Sequence, residues 1–237
     1  MKRFRQILVI IIAILSVAAN FSFSQKLIEH KNKRGEANYV EIDKKSGAVR
    51  AIHRFNEHIK NYGLAREKLS KEIVLAYTKK LVDDYSDMLG ISSKDLILDD
   101  ITDDGVWWIV NYAQAVGKVP IEYTRLGFTI GKSGDILSPN VKIYPNVQIN
   151  TSPSVNRDQA VQTIKNLTNI MPEVSGDQKP KLVILPSDVD SIFDQRLAWK
   201  LFLVSTRETK IYYVDAISGL ILSVVKNSLN SLSPVEP

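Results

Sequence analysis

The C-terminal third of this chain constrains its fold more than any other stretch. Leu197-Ala198-Trp199-Lys200-Leu201-Phe202-Leu203-Val204 and Ile211-Tyr212-Tyr213-Val214-Asp215-Ala216-Ile217-Ser218-Gly219-Leu220-Ile221-Leu222 read as three β segments joined by two turns. The last turn, Asp-x-x-Ser-Gly, has a clear physical basis. The aspartate accepts main-chain N–H groups, and the glycine takes the positive φ that closes the turn. Asp43-Lys44-Lys45-Ser46-Gly47 repeats that spacing inside Glu36–Arg50, which reads as strand, turn, strand. Gly131-Lys132-Ser133-Gly134 is a shorter version between Phe128-Thr129-Ile130 and Ile136-Leu137. Recurrent hairpins of this kind predict antiparallel sheets.

Two helices are expected to cover those sheets. From Glu67 to Leu89, apolar residues recur at spacings of three and four (Leu69, Ile73, Ala76 or Tyr77, Leu81, Tyr85, Met88), and Gly90 follows as a stop. The second helix opens at Asn156, an N-cap with Gln159 three residues on and Val155 and Ala160 as a small staple, and Pro172 ends it. Val106–Val110, Ile121–Ile130 and Lys181–Pro186 read as further strands, the last stopped by Pro186. Residues 141–153 are rich in Asn, Pro and Ser and read as a linker. The expected fold is α+β: two cystatin-like halves, each a helix packed on an antiparallel sheet. The boundaries are 25–140 for the first half, 154–226 for the second, and 227–237 for a polar tail.

Residues 1–24 read as a secretory signal, the alternative being an uncleaved N-terminal anchor. Lys2, Arg3 and Arg5 precede an apolar run from Ile7 to Ala19, and Ser22 and Ser24 flank Phe23 before Gln25. Export places the mature chain outside the cytoplasm, periplasmic or secreted, with no stable membrane span after cleavage. The whole chain carries +5, and loss of that acid-free segment takes away three positive charges and leaves +2. That remainder gives no reason to expect nucleic acid as a partner. Cysteine is absent, so stability rests on core packing rather than disulfides.

Few residues invite a chemical role. His53 and His58 are five apart, which on a helix separates them by about 140° and denies them a shared face. Asp83-Asp84 and Asp99-Asp100 read as solvated surface. No His-Glu-x-x-His, Gly-x-Ser-x-Gly or complete phosphate loop occurs. No catalytic, cofactor-binding or metal residue is therefore assigned, and the expectation is a binding protein that is not an enzyme. Trp107 and Trp108 stand side by side on a strand and point to opposite faces, so one is expected to pack on the helix and the other to be a candidate partner-binding residue.

Two regions resemble a known family. Tyr77–Leu81, Leu89-Gly90-Ile91, Trp108–Gln114 and Gly117–Ile121 resemble the FTP (fungalysin/thermolysin propeptide) motif, with Gln114, Pro120 and Ile121 in the matching places. Gly117 departs from the pattern by standing one position early, with Lys118 where the family usually has Gly. Val155–Ala160, Leu182–Pro186, Leu197–Lys200 and Tyr213–Gly219 resemble a PepSY domain, with Trp199, Asp215 and Gly219 as its marks. Together these regions span most of residues 36–225. The same residues also read as fold determinants, Leu197 and Trp199 as core, Asp215 and Gly219 as a turn. The resemblance implies the propeptide of a thermolysin-type metallopeptidase without the peptidase: a chaperone or peptidase inhibitor acting in trans. The alternative is an envelope or surface interaction module with no peptidase link.

Overall fold

The computed structural model describes residues 25–31, 35–55, 57–59, 69–137, 139–189, 192–204 and 208–228. Residues 1–24, read from the sequence as a secretory signal, and residues 229–237 of the tail lie outside the described residues. Three antiparallel sheets and two main helices make an α+β fold.

The first sheet has the order β1-β2-β3, formed by Gln25–Lys31, Ala37–Asp43 and Val49–His53. The second sheet runs β4-β9-β8-β6-β5, with β10 added to β8 and β7 to β6. Its strands are β4 (Glu57–His58), β5 (Leu96–Asp103), β6 (Trp107–Val116), β7 (Val119–Pro120), β8 (Arg125–Gly131), β9 (Asp135–Ile136) and β10 (Asn140–Lys142). The third sheet is the meander β11-β12-β13-β14, formed by Lys181–Val189, Ile192–Val204, Glu208–Asp215 and Ile221–Ser228.

Helix α1 (Lys71–Asp84) starts at Ser70, whose side chain accepts the Ile73 N–H. It buries Val74, Tyr77, Leu81 and Val82 in a core shared with Val110, Leu126 and Phe128 of the second sheet. The Thr78 hydroxyl meets the Tyr112 phenol at 2.7 Å in that core. The helix is shorter than the apolar spacing predicts. Tyr85 leaves helical geometry at φ −106°, and a single further turn, α2 (Ser86–Leu89), ends at Gly90 with φ 66°. Tyr85 turns its ring onto Phe55 and its hydroxyl to the buried Glu57, and this anchorage breaks the periodicity.

Helix α3 (Arg157–Thr168) has the expected cap. Asn156 Oδ1 accepts the Gln159 N–H at 2.9 Å, and Gln159 Oε1 accepts the Asn156 N–H at 2.8 Å. The helix packs Ala160, Val161 and Ile164 onto Leu201, Leu203 and Val214, with Val155 against the same cluster. It ends four residues before Pro172, at Thr168, with Asn169 in the left-handed region.

Three other expectations are corrected. Pro186 does not stop β11, which runs on to Val189 and pairs Pro186 with Gln195. β11 is the outer strand of its sheet, where a missing N–H breaks no ladder bond. Strand β8 begins at Arg125, because Ile121 and Glu122 leave the second sheet to bridge β11. The segment 141–153 is extended but does not run free. Val141 pairs with Leu126, Ile143 exchanges two main-chain bonds with Val49, and Ile143 and Tyr144 are buried. Pro145 sits so close to Gly90 that a Cβ there would lie 2.5 Å from the Pro145 Cβ.

Candidate partner-binding surface

The residues that carry the family resemblance meet along the seam between the two halves. Gln114 lies near the end of the long strand β6 and is buried. Its side-chain amide treats Tyr144 as a neighbouring strand: Nε2 donates to the Tyr144 carbonyl at 2.6 Å, and Oε1 accepts the Tyr144 N–H at 2.8 Å. Each of these buried main-chain groups would otherwise be left unpaired at a cost of about 1–3 kcal/mol. Pro120 pairs with Ala115 at the tip of the β6–β7 hairpin and holds the chain for the exit to Ile121. Ile121 donates its N–H to the Gln114 carbonyl at 2.7 Å, and Glu122 donates its own to the Ile184 carbonyl of β11 at 2.9 Å. One turn thus joins the second sheet to the third.

A polar cluster closes the same seam. The Glu122 carboxylate accepts Lys200 Nζ at 2.7 Å and the Tyr213 hydroxyl at 2.8 Å. Tyr123 donates to the Tyr213 hydroxyl at 3.1 Å. Burial, then the Tyr123 and Glu122 contacts, hold the Tyr213 phenol far above the usual tyrosine range, so it stays a donor. Tyr123 holds φ 61°, a conformation costing a β-carbon residue about 1–2 kcal/mol. Beneath the cluster, Ile121, Tyr144, Ile184, Leu197, Ala48 and Ala216 form one apolar core drawn from both halves.

Trp199 and the Asp215 turn fasten the second half to the end of the segment 141–153. The Trp199 indole N–H donates to the Val155 carbonyl at 2.7 Å. The Ala216 carbonyl takes the N–H groups of both Ser154 and Val155 at 2.9 Å. Asp215 Oδ1 accepts Ile217 and Ser218 N–H, each at 2.8 Å, and Gly219 closes the turn at φ 78°. Burial pushes the Asp215 carboxyl up, but those two N–H groups more than reverse it, leaving it below the usual carboxylate range.

The tryptophan pair divides by strand alternation. Trp108 goes into the core that α1 covers, and Lys132 Nζ lies 4.7 Å from its ring centroid. Trp107 is half-buried over Gly131, where a Cβ would stand 3.0 Å from its ring. Neither is as exposed as the neighbouring Val106, at 61%.

Sequence reasoning missed two surface features. One is an open cleft of about 360 Å³ between Ile149-Asn150, the stretch Asp194–Leu197 and the turn residues Asp215, Ile217 and Ser218. The other is an apolar patch at the end of α3, where Leu167, Ile170, Met171 and Val174 are all exposed. By its spacing the sequence puts Leu167 and Ile170 or Met171 on the apolar stripe of this helix, but the helix ends at Thr168 and leaves them exposed. The cleft had no local signal.

The histidines stay apart. His53 lies 3.1 Å from Glu41, His58 lies 3.7 Å from Asp135, and His30 stands beside the Tyr85 ring. Among the described residues no three His, Cys, Asp or Glu side chains come together as a metal site. No helix among them is long and apolar enough to cross a membrane.

No family model and no curated protein matches the chain. Solved structures that do match include the C-terminal domain of YpeB from Bacillus megaterium, at 12% identity over 87% of this chain and 91% of that one, TM-score 0.39. A protein described as a candidate lipoprotein from Clostridium difficile 630 matches at 14% identity over 64% of this chain and 92% of that one, TM-score 0.26.

Proposed function

We propose that the chain is an exported, non-enzymatic protein that binds a secreted metallopeptidase of the thermolysin type and acts in trans as its folding chaperone, its inhibitor, or both. The observation that carries this reading is the use made of the motif residues. Gln114, Trp199 and Asp215 spend their polar atoms on main-chain groups of the seam, and Pro120 and Gly219 shape the turns beside it. These residues hold two helix–sheet halves as one body, which is what a propeptide-like scaffold needs in order to template a partner. Partner contact then falls to surface groups, and of the two sequence candidates Trp107 remains for it, since Trp108 belongs to the core. A second reading, an envelope interaction module with no peptidase link, is favoured by the apolar patch Leu167, Ile170, Met171 and Val174.

The test uses residues 25–237 with a purified thermolysin-type metallopeptidase from the same source. The expected result is a dose-dependent fall in proteolysis of a peptide substrate, a higher refolding yield of the denatured peptidase, or both. Deletion of residues 227–237 separates a tail that plugs the active cleft from a contact made by the folded body. Unchanged activity together with unchanged refolding yield at saturating chain overturns the proposal and leaves the interaction module.

A further inference from the structure

Strand β12 is longer than its neighbour β13 on one side. It pairs with β11 from Ile192 to Lys200, whereas its ladder with β13 begins only at Ala198 opposite Asp215. Asp194–Arg196 therefore have a strand on the β11 side alone, among the described residues.

Two hydrogen bonds settle which way the main chain points there. The Leu197 carbonyl accepts the Ala216 N–H at 2.8 Å, on the β13 side. Ile184, which stands opposite Leu197 in β11, turns its own carbonyl away from β12 to the Glu122 N–H. Both place this pair at a non-hydrogen-bonded position of the β11–β12 ladder, so the Leu197 N–H faces the β13 side as well. The two-residue period gives Gln195 the same orientation, but its N–H is held by Asp194 Oδ1 at 2.8 Å, which leaves the Gln195 carbonyl and the Leu197 N–H to face the cleft. The strand that would receive these groups has left: Asp215 enters its turn, and the Ala216 carbonyl goes to Ser154 and Val155. The cleft of about 360 Å³ occupies the line along which β13 would have continued, and Ile149-Asn150 forms its far wall.

The walls differ in chemistry. Leu197 belongs with Ile149 to the apolar seam core. Asp194 and Arg196 alternate with it and stand on the other face, where Arg196 Nε is 2.8 Å from Asp194 Oδ2 and its terminal nitrogen 3.6 Å from Asp215 Oδ2. Two carboxylates thus share one guanidinium and leave one negative charge unmatched in the cleft.

We infer that this cleft is a strand-addition site for an extended segment of a partner protein. The segment lies along Asp194–Leu197, donates a main-chain N–H to the Gln195 carbonyl and accepts the Leu197 N–H as a parallel strand would, sets an apolar side chain on Ile149 and Leu197, and places a lysine or arginine beside Asp194 and Asp215. Main-chain pairing supplies affinity, and the alternation of apolar and basic side chains supplies selectivity. The inference does not depend on the partner being a peptidase.

The test is fluorescence anisotropy of a labelled, capped peptide of alternating Lys and Val residues, titrated with residues 25–237. The comparison peptides are the Glu–Val equivalent and a Lys–Val peptide N-methylated at alternate residues. The expected result is that both comparison peptides bind at least about tenfold more weakly, and that Asp194→Lys weakens the Lys–Val peptide by a similar factor. Asp194 is half-exposed, and a thermal melt checks that the variant keeps its fold. Amide hydrogen exchange at Leu197 is expected to slow when the Lys–Val peptide is bound. Equal binding of all three peptides, or none at all, overturns the site. Binding that appears only after removal of residues 229–237 overturns it too, since the chain's own tail would then be the occupant.

Discussion

The turn at Asp43 and the turn at Asp215 can be laid over one another bond by bond. In each, the aspartate N–H reaches the carbonyl five residues on, Ala48 at 2.9 Å and Leu220 at 2.7 Å. The glycine N–H returns to the aspartate carbonyl at 2.8 Å and 2.9 Å, and one carboxylate oxygen collects two intervening N–H groups. Each has an arginine nearby, Arg50 at 3.7 Å and Arg196 at 3.6 Å. The two part company in what they bury. The first turn carries Lys44 and Lys45 outward and buries its exit residue, Ala48. The second buries Ala216, directly after its aspartate, and exposes its exit residue, Leu220, at 69%. The carboxylate follows suit, since Asp215 is buried and Asp43 only half so. Side-chain chemistry inside the turn dictates its shape, and the residues between Asp and Ser decide how deep it docks.

That comparison can be broken by mutation. The largest expected difference is between Asp215→Ala and Asp43→Ala. Removing Asp215 takes a buried carboxylate from two half-buried N–H groups and from Arg196 and is expected to cost about 2 kcal/mol, against about 1 kcal/mol for Asp43, one of whose two main-chain bonds is exposed. Urea midpoints at constant slope measure both, and equal losses would show that burial does not separate the two turns. A smaller effect tests their likeness. Gly47 and Gly219 have φ 68° and 78°; a Cβ meets nothing within 4 Å at the first and the Val155 Cγ2 at an ordinary 3.6 Å at the second. Gly47→Ala and Gly219→Ala are each expected to lose about 1 kcal/mol, through backbone strain alone. A much larger loss at Gly219 would mean that the second turn cannot shift against Val155.

The smallest effect is in acid. Both carboxyls lie below the ordinary value of 3.8, Asp43 chiefly through the Ser46 N–H, Asp215 through Ser218 and Ile217 against the pull of burial. A depressed folded value means that the stabilisation is complete above the unfolded value and is lost as pH falls through the folded one. Stability is therefore expected to decline below about pH 4, and Asp43→Asn and Asp215→Asn each to flatten that decline. An unchanged acid limb in both variants would assign the decline to other carboxylates.

What could be read from the sequence was whatever the chain settles within a few residues. The Asp–Gly turns, the Asn156–Gln159 cap and the hairpin at Gly131–Gly134 are of this kind. Alternation correctly sent Trp107 and Trp108 to opposite faces. The misses share one cause, dependence on a distant partner. Pro186 is harmless only because β11 lies at the outside of its sheet, which its own neighbours do not announce. Tyr85 breaks a periodic helix because Phe55 and Glu57 wait for it. The stretch 141–153 has the composition of a linker, and distant partners turn it into packed structure: Leu126 and Val49 pair with its main chain, and the amide of Gln114, thirty residues upstream, grips Tyr144. The cleft beside Asp194–Leu197 was out of reach for the same reason, since it exists where one strand ends before another.

The packing of residues 141–153 also bears on where the chain can be cut. A gene fragment stopping at residue 140 would lack the strand that covers β8, the Ile143 main chain that seals Val49, and the peptide that Gln114 grips. A fragment starting at residue 154 would begin with Ser154 at the Ala216 carbonyl and with nothing on the Ile121 side of Ile184. Anyone expressing the halves apart would do better to leave residues 141–149 on the first, so that the joint is severed in the open stretch just before Pro153.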